Sequence, residues 1–240
     1  MPKILSLCTS AGLFDKVFTD AGYDIIPGCE IVDYKRQMYY TFCQNKKHLC
    51  YDIKDLPEIV KGQVYDGVIG GIPCQSRSIL KSTNMPKFPD LLPETLAVLS
   101  AISYSWAIFE NVRPLDIPGF VSFKMDAMNY GQPHQSRPRH FTVSPGLTRC
   151  PEIFKGTVDS LLAYPGVYGR LYGPKRGAVL QGFSSFSTLA FPCPQLQEAL
   201  ADGVPRCLSE AWLCSVKDWE KRQNMVECGT KSENQTSQEK

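Results

Sequence analysis

The sequence predicts an α/β fold: a mostly parallel sheet with helices on both faces. Three observations predict it. Short apolar runs recur at residues 4–8, 25–29, 64–69, 106–109 and 141–143. Helix-sized intervals separate the earlier runs, which is the βα alternation of a parallel sheet. The residues just past several runs carry chemistry, Glu30, Cys74 and Glu110 among them, and open α/β sheets bind ligands at the carboxyl ends of their strands.

A chain of 240 residues, 43% hydrophobic and 21% charged, is long enough for one domain, or one domain with an appendage. Its ten cysteines, at 8, 29, 43, 50, 74, 150, 193, 207, 214 and 228, include no Cys-x-x-Cys and no zinc-site spacing. They read as reduced thiols in a cytoplasmic or nuclear compartment, with no metal. Residues 4–8 are too short for a signal-peptide core. Residues 97–109 are too short to span a bilayer and carry three serines, so no membrane partner is expected. The net charge of +2 identifies no partner, and a nucleic-acid reading must rest on local clustering.

Each element follows from its local pattern. Residues 4–8 form the first strand and Thr9-Ser10-Ala11-Gly12 a small-residue turn. A helical pattern then runs through Phe14, Val17, Phe18 and Ala21 to Gly22. Ile25, Ile26 and Cys29 make a second strand whose end carries Glu30, eighteen residues after Gly12. In nucleotide-binding sheets such an acid accepts hydrogen bonds from ribose hydroxyls; a solvated surface acid is the plain alternative. Asp52-Ile53 follows another helix-sized interval and is placed to close the same pocket, although nearby Asp55 shows how ordinary an exposed acid is.

The third strand, residues 64–69, ends in Gly70-Gly71 and Pro73, which sets Cys74 just beyond a strand end. Residues 76–93, with Pro86, Pro89 and Pro93 and the basic Arg77, Lys81 and Lys87, read as a long irregular segment of the kind that serves as a lid. Residues 94–103 are helical in character. Trp106 to Phe109 form a buried strand ending in Glu110-Asn111-Val112, and Phe141-Thr142-Val143 form another, preceded by Gln135-Ser136-Arg137-Pro138-Arg139. After Pro205 a helix is expected through Leu208, Ala211, Trp212, Val216 and Trp219. Beyond Arg222 the polar composition predicts disorder.

Taken singly, Cys74 fits a buried thiol, and Glu110, Arg137 and Arg139 fit solvated strand-end charges. Together they form an ordered set: Pro73-Cys74-Gln75, Glu110-Asn111-Val112, Gln135-x-Arg137-x-Arg139, Leu180-Gln181-Gly182-Phe183 and Asp202-Gly203-Val204-Pro205. Over roughly residues 3–216 this set resembles the C5-cytosine methyltransferase family. The resemblance implies a Rossmann-like class I methyltransferase fold with a small target-recognition insertion. It divides the chain into a catalytic core at 1–145, a recognition segment at 146–178, a return to the core at 179–222 and the disordered tail at 223–240.

The resemblance also implies a mechanism. Carbon 5 of cytosine is too weak a nucleophile to take a methyl group directly, so the thiolate of Cys74 first adds at carbon 6. A free thiol has a pKa near about 8.5, which Arg139 or loop amides would lower. Glu110, protonated in an apolar or anion-rich pocket, donates to N3, and Arg137 and Arg139 supply cationic donors to the base carbonyl and phosphates. Gln75, Ser78, Asn111, Gln135, Arg170, Lys175 and Gln181 complete the substrate set. Asn111 is also suited to shaping the turn or orienting Glu110. His134 and His140, without acidic or cysteine partners at ligand spacing, fit packing or phosphate contacts.

S-adenosylmethionine is the implied cofactor. Its contacts fall on Cys8, Thr9, Ser10, Ala11, Gly12, Leu13, Glu30, Ile31, Asp52, Ile53, Pro73, Leu96, Asp202 and Gly203. The family usually has Phe where Cys8 stands, Gly at the positions of Ser10 and Leu13, and Asn in place of Asp202. Ser10 and Leu13 fit the turn if their φ angles are negative.

Between Val143 and Gln181 the basic residues Arg149, Lys155, Arg170, Lys175 and Arg176 outnumber Glu152 and Asp159. Tyr164, Tyr168 and Tyr172 alternate there with glycines, a composition suited to phosphate contact and base stacking, or to a solvated loop. So short a segment implies relaxed sequence recognition or help from a protein partner. DNA is the expected substrate of a monomeric enzyme, with tRNA, or a catalytically weak nucleic-acid-binding homologue, as the alternatives.

Overall fold

Successive strand residues point to opposite faces, and here both faces are apolar, so adjacent residues enter different cores. Ile4, Ile69, Trp106 and Ile108 join one cluster, while Leu5, Val68, Ala107 and Phe109 join the other. Strands buried on both sides need helices on both sides. The computed structural model describes residues 1–44, 47–73, 89–130, 137–151, 178 and 182–235. Its elements are β1 (Lys3–Leu7), α1 (Leu13–Asp20), β2 (Asp24–Pro27), α2 (Asp33–Cys43), α3 (Leu56–Val60), β3 (Val64–Gly71), α4 (Leu92–Ala101) and β4 (Ser103–Asn111). These are followed by β5 (Val121–Asp126), β6 (Pro138–Val143), α5 (Cys193–Asp202) and α6 (Arg206–Gln235).

The six strands lie in the order β2-β1-β3-β4-β6-β5. β1 pairs in parallel with β2 and β3, and β3 with β4. β6 runs antiparallel to both β4 and β5, so one strand is reversed in an otherwise co-directional sheet. The first apolar face is covered by α1, through Phe14 and Phe18, and by α6, through Leu208, Trp212 and Val216. The second is covered by α3 and α4, through Leu56, Val60, Val98 and Leu99. A third cluster joins α1 and α2 to the C-terminal return, where Leu13, Val17, Tyr39 and Phe42 meet Phe186, Leu196 and Ala199. That contact draws α5 back against the start of the chain. Among the described residues no helix is long and apolar enough to cross a membrane.

Several boundaries differ from the sequence-based expectation. α4 begins at Leu92 and takes Pro93 into its first turn, where proline lacks only an N–H that the helix leaves unpaired. Ser103 opens β4 rather than ending the helix. β5 was not anticipated: of Val121, Ser122, Phe123, Lys124, Met125 and Asp126 only Met125 is buried, as an edge strand permits. α5 was missed because Pro192 and Pro194 bracket its start and read as loop. α6 continues to Gln235, past Arg222, where disorder was expected; Glu, Lys and Gln are good helix formers even where they bury nothing.

Trp106 shows how closely the layers meet. Its ring is fully buried and stacks on Phe18 at 6.0 Å between centroids. A Cβ at Gly67 would lie 2.3 Å from its Cζ2. Gly67→Ala is therefore expected to destabilise the fold by about 3 kcal/mol through overpacking, read as a lowered urea midpoint at unchanged slope.

Candidate active site

The turn after β1 is held in a conformation that ordinary residues avoid. Cys8 and Ser10 have φ of 50° and 49°, and Gly12 has 82°. The negative φ expected at Ser10 is thus corrected: the serine occupies the left-handed region that favours glycine, at a cost of roughly 1–2 kcal/mol. Surrounding bonds over-determine it. The Ser10 N–H donates to Glu30 Oε2 at 2.8 Å, the Thr9 N–H donates to the Cys29 carbonyl at 3.2 Å, and the Thr9 hydroxyl meets His48 Nε2 at 2.6 Å. Burial, helped by Arg36, lowers the His48 pKa to about 4, so this ring is neutral at pH 7.

The other oxygen of Glu30, Oε1, accepts from the Val32 N–H at 2.9 Å. Burial raises the Glu30 pKa, and the Val32 amide, Lys35 and the Ser10 amide oppose the rise. Each carboxylate oxygen has a further lone pair for a ligand hydroxyl. Asp52 accepts from the Lys54 N–H at 3.0 Å and so fixes the turn that follows it.

These groups line a cavity of about 430 Å³ at the carboxyl ends of β1 to β4, within the size range of ligand pockets. Of the residues expected to bind the cofactor, Cys8, Thr9, Ser10, Leu13, Glu30, Ile31, Asp52, Ile53, Pro73, Asp202 and Gly203 line it. Ala11, Gly12 and Leu96 do not. Ala11 is fully buried in the third core cluster, Gly12 lets Tyr39 and Cys43 approach closely, and Leu96 packs against the second cluster.

Glu110 and Arg139 line the same cavity. They are neighbours because β4 and β6 pair with Asn111 opposite His140. Arg139 Nε lies 2.7 Å from Glu110 Oε1. Burial pushes the Glu110 pKa up, and the Arg139 and Arg137 guanidiniums pull it down without cancelling the rise. The pocket around this carboxyl is therefore buried and cation-bearing, rather than simply apolar or anion-rich.

Arg137 turns inward. It is 1% exposed, absent from the cavity wall, and donates from Nη2 to the Gly203 carbonyl at 2.8 Å; this ties the C-terminal return to the sheet. Asn111 is also internal: its Nδ2 donates to the Ile72 carbonyl at 3.1 Å and its Oδ1 accepts from the Arg113 N–H at 3.2 Å. It anchors the backbone two residues before Cys74. Cys74, Gln75, Ser78, Gln135, Arg170, Lys175 and Gln181 lie outside the described residues, as does His134.

Asp15, Lys35 and Tyr51 are among the wall residues that were not anticipated. Lys35 lies on the buried stripe of α2 with Met38, Tyr39, Phe42 and Cys43. Its Nζ meets Asp202 Oδ2 at 2.5 Å and Glu198 Oε1 at 3.4 Å. Burial works against the ammonium, yet Asp202 holds its pKa above the usual lysine range. Lys35 thus balances the added negative charge of Asp202. A charged residue at the apolar spacing of a helix was the available signal. Tyr51 stands at the cavity mouth with Arg36 Cζ 4.1 Å above its ring.

Residues 2–118 match the family model of the C-5 cytosine-specific DNA methylases. The type II methyltransferase M.FnuDI of Fusobacterium nucleatum is 35% identical over 116 residues; the match covers 46% of this chain and 32% of that protein. The chain thus spans about a third of the length of this relative. Among solved structures, the Entamoeba histolytica methyltransferase EhMeth superposes with a TM-score of 0.64 at 12% identity, covering 91% of this chain and 98% of that one. A Spodoptera frugiperda DNMT2 mutant gives 0.62 at 12% identity over 90% and 99%. A putative DNA modification methyltransferase from an Escherichia coli prophage gives 0.63 at 13% identity over 92% and 100%. At these identities the superpositions speak for the fold, a Rossmann-like methyltransferase fold. Residues 2–118 are thus similar to the C-5 cytosine-specific DNA methylases.

Proposed function

We propose that the chain methylates carbon 5 of cytosine in DNA, with Cys74 as nucleophile and S-adenosylmethionine as methyl donor. One observation carries this reading. Pro73, the residue before Cys74, lines the same cavity as the Glu110–Arg139 pair and the acids Glu30 and Asp52. A cofactor pocket and an acid-base pair therefore converge beside the expected nucleophile.

The residues present fit the cofactor. Glu30 and Asp52 offer carboxylate oxygens to ribose hydroxyls, and Leu13 and Ile53 offer apolar surface. When bound, S-adenosylmethionine supplies an electrophilic methyl group. The protein's part is to make carbon 5 nucleophilic. The Cys74 thiolate forms a bond to carbon 6, the ring electrons shift toward carbon 5, and N3 takes a proton from the Glu110 carboxyl. Arg139, 2.7 Å away, is in place to stabilise the carboxylate that this transfer leaves behind. After methylation, N3 returns its proton to the Glu110 carboxylate, water takes the carbon 5 proton as the thiolate is eliminated, and the aromatic ring and free Cys74 are restored. The target cytosine must leave the base stack to reach these groups. The DNA methylase match over residues 2–118 supports DNA over RNA.

Transfer of tritiated methyl groups tests the reading. Duplex DNA is expected to be labelled, tRNA to stay at background, and Cys74→Ala to abolish labelling; counts on tRNA alone would overturn the DNA assignment. Glu110→Gln is expected to slow transfer by about 10²–10⁴-fold. The step needs the protonated carboxyl, whose raised pKa keeps it protonated to higher pH than an ordinary glutamate. Activity is therefore present below that pKa and lost above it, and the thiolate requirement imposes the opposite limb. The pH-rate profile is expected to be bell-shaped, and Glu110→Gln to remove its alkaline limb.

A further inference from the structure

Three cysteines stand in a row across the carboxyl end of the sheet. The parallel pairing of β1 with β2 matches Lys3 with Asp24 and Ser6 with Pro27, an offset of 21 residues. Carried two residues on, the same offset sets Cys8 beside Cys29. The Thr9 N–H bond to the Cys29 carbonyl, at 3.2 Å, holds the two chains together there. Cys29 pairs in turn with Cys50, and all three thiols are free. The Cys50 thiol is engaged elsewhere, facing the carbonyls of Asp52 at 3.1 Å and Gly28 at 3.6 Å. Cys8 and Cys29 instead both line the cavity and pack in one core cluster. Neighbouring strands run about 4.8 Å apart, inside the roughly 4.4–6.8 Å between α-carbons that a disulfide spans.

We propose that Cys8 and Cys29 form an oxidation site, a dithiol that peroxide converts to a reversible disulfide in the cavity wall while the cavity is empty. Neither thiol reacts in the mechanism proposed above. Cys29 is 1% exposed and Cys8 is half-buried, so the cavity that both line is the oxidant's way in, and a ligand filling it stands between the pair and the oxidant. Cys8, the more accessible, reacts first. Its thiolate attacks one peroxide oxygen; the S–O bond forms, the O–O bond breaks and hydroxide leaves, which makes a sulfenic acid. The Cys29 thiolate then attacks that sulfur, the S–S bond forms and the S–O bond breaks with loss of a second hydroxide. The two protons given up by the thiols turn both hydroxides into water, so the pair loses two electrons and peroxide gains them. The hydrogen bond to Cys29, and burial, push the Cys8 thiol above its usual range. The pair therefore waits as thiols and reacts slowly, whereas the disulfide carries no charge to desolvate and suits the apolar setting.

Peptide mapping of the full chain tests this after treatment with hydrogen peroxide at about pH 8.5, where more of the thiol is ionised, followed by alkylation under denaturing conditions and digestion with trypsin. Cys8, Cys29 and Cys50 fall on separate tryptic peptides, residues 4–16, 17–35 and 48–54. A link between the first two is expected, removed by dithiothreitol and absent from Cys29→Ser. A link from Cys29 to Cys50 in its place, or alkylation of both Cys8 and Cys29 after treatment, would overturn the proposal, and neither reading needs a variant. The claim that the cavity is the route in is tested with S-adenosylhomocysteine, an arm that rests on the methyl-donor reading above. At about ten times its dissociation constant, measured by calorimetry, this ligand leaves roughly a tenth of the cavities empty, so the link is expected to form about tenfold more slowly. An unchanged rate with the ligand bound would overturn the route. A wild-type chain that forms the link yet binds no S-adenosylhomocysteine would remove the methyl-donor reading and support the oxidation site.

Discussion

Charge buried at the carboxyl end of the sheet is the constraint around which this molecule is arranged. Glu30, Glu110, Asp15 and Lys35 are each less than one-tenth exposed, and a buried charge is tolerated only with partners. Each finds them differently. Glu30 takes two backbone amides, Glu110 takes Arg139, Lys35 takes two acids, and Asp15 takes the Ser6 and Tyr39 hydroxyls. The first three hold the walls of the cavity together, and they join parts of the chain far apart in sequence. Lys35 reaches residue 202 and Arg139 reaches residue 110, so the pocket exists only when the C-terminal return and the reversed strand are docked.

The strained turn follows from the same requirement. Ser10 accepts an unfavourable φ because its amide must point at Glu30, and the Thr9–His48 contact keeps the turn from relaxing. Arg137 works at one remove: buried and bonded to the Gly203 carbonyl, it fixes the segment that brings Asp202 to Lys35. Of the two motif arginines, one therefore supports the wall and the other stands at it.

Much of the fold was legible in the sequence, because doubly buried strands are written as uninterrupted apolar runs. Residues 106–109 announce β4 in this way, and residues 64–69 announce β3 although Asp66 interrupts the run. β5 was not legible, since Ser122 and Lys124 on an edge strand carry no such pattern, and α5 was hidden by its prolines. In the site, Glu30, Asp52 and Glu110 could be found because each ends or follows an apolar run. Asp15 and Lys35 could not, since their significance comes from the opposite wall, Ser6 in one case and Asp202 in the other. Sequence spacing within a helix shows that a charge lies on the apolar stripe, but not what it faces across a cavity.

Trapping on a mechanism-based substrate tests the central claim most directly. With duplex DNA carrying 5-fluorocytosine and S-adenosylmethionine, the fluorine prevents loss of the carbon 5 substituent, so the enzyme is held on carbon 6. A denaturant-stable protein–DNA complex is expected with the wild-type chain and none with Cys74→Ala. A stable complex formed by the Cys74→Ala chain, or methyl transfer to ordinary DNA without any trapped species, would contradict it.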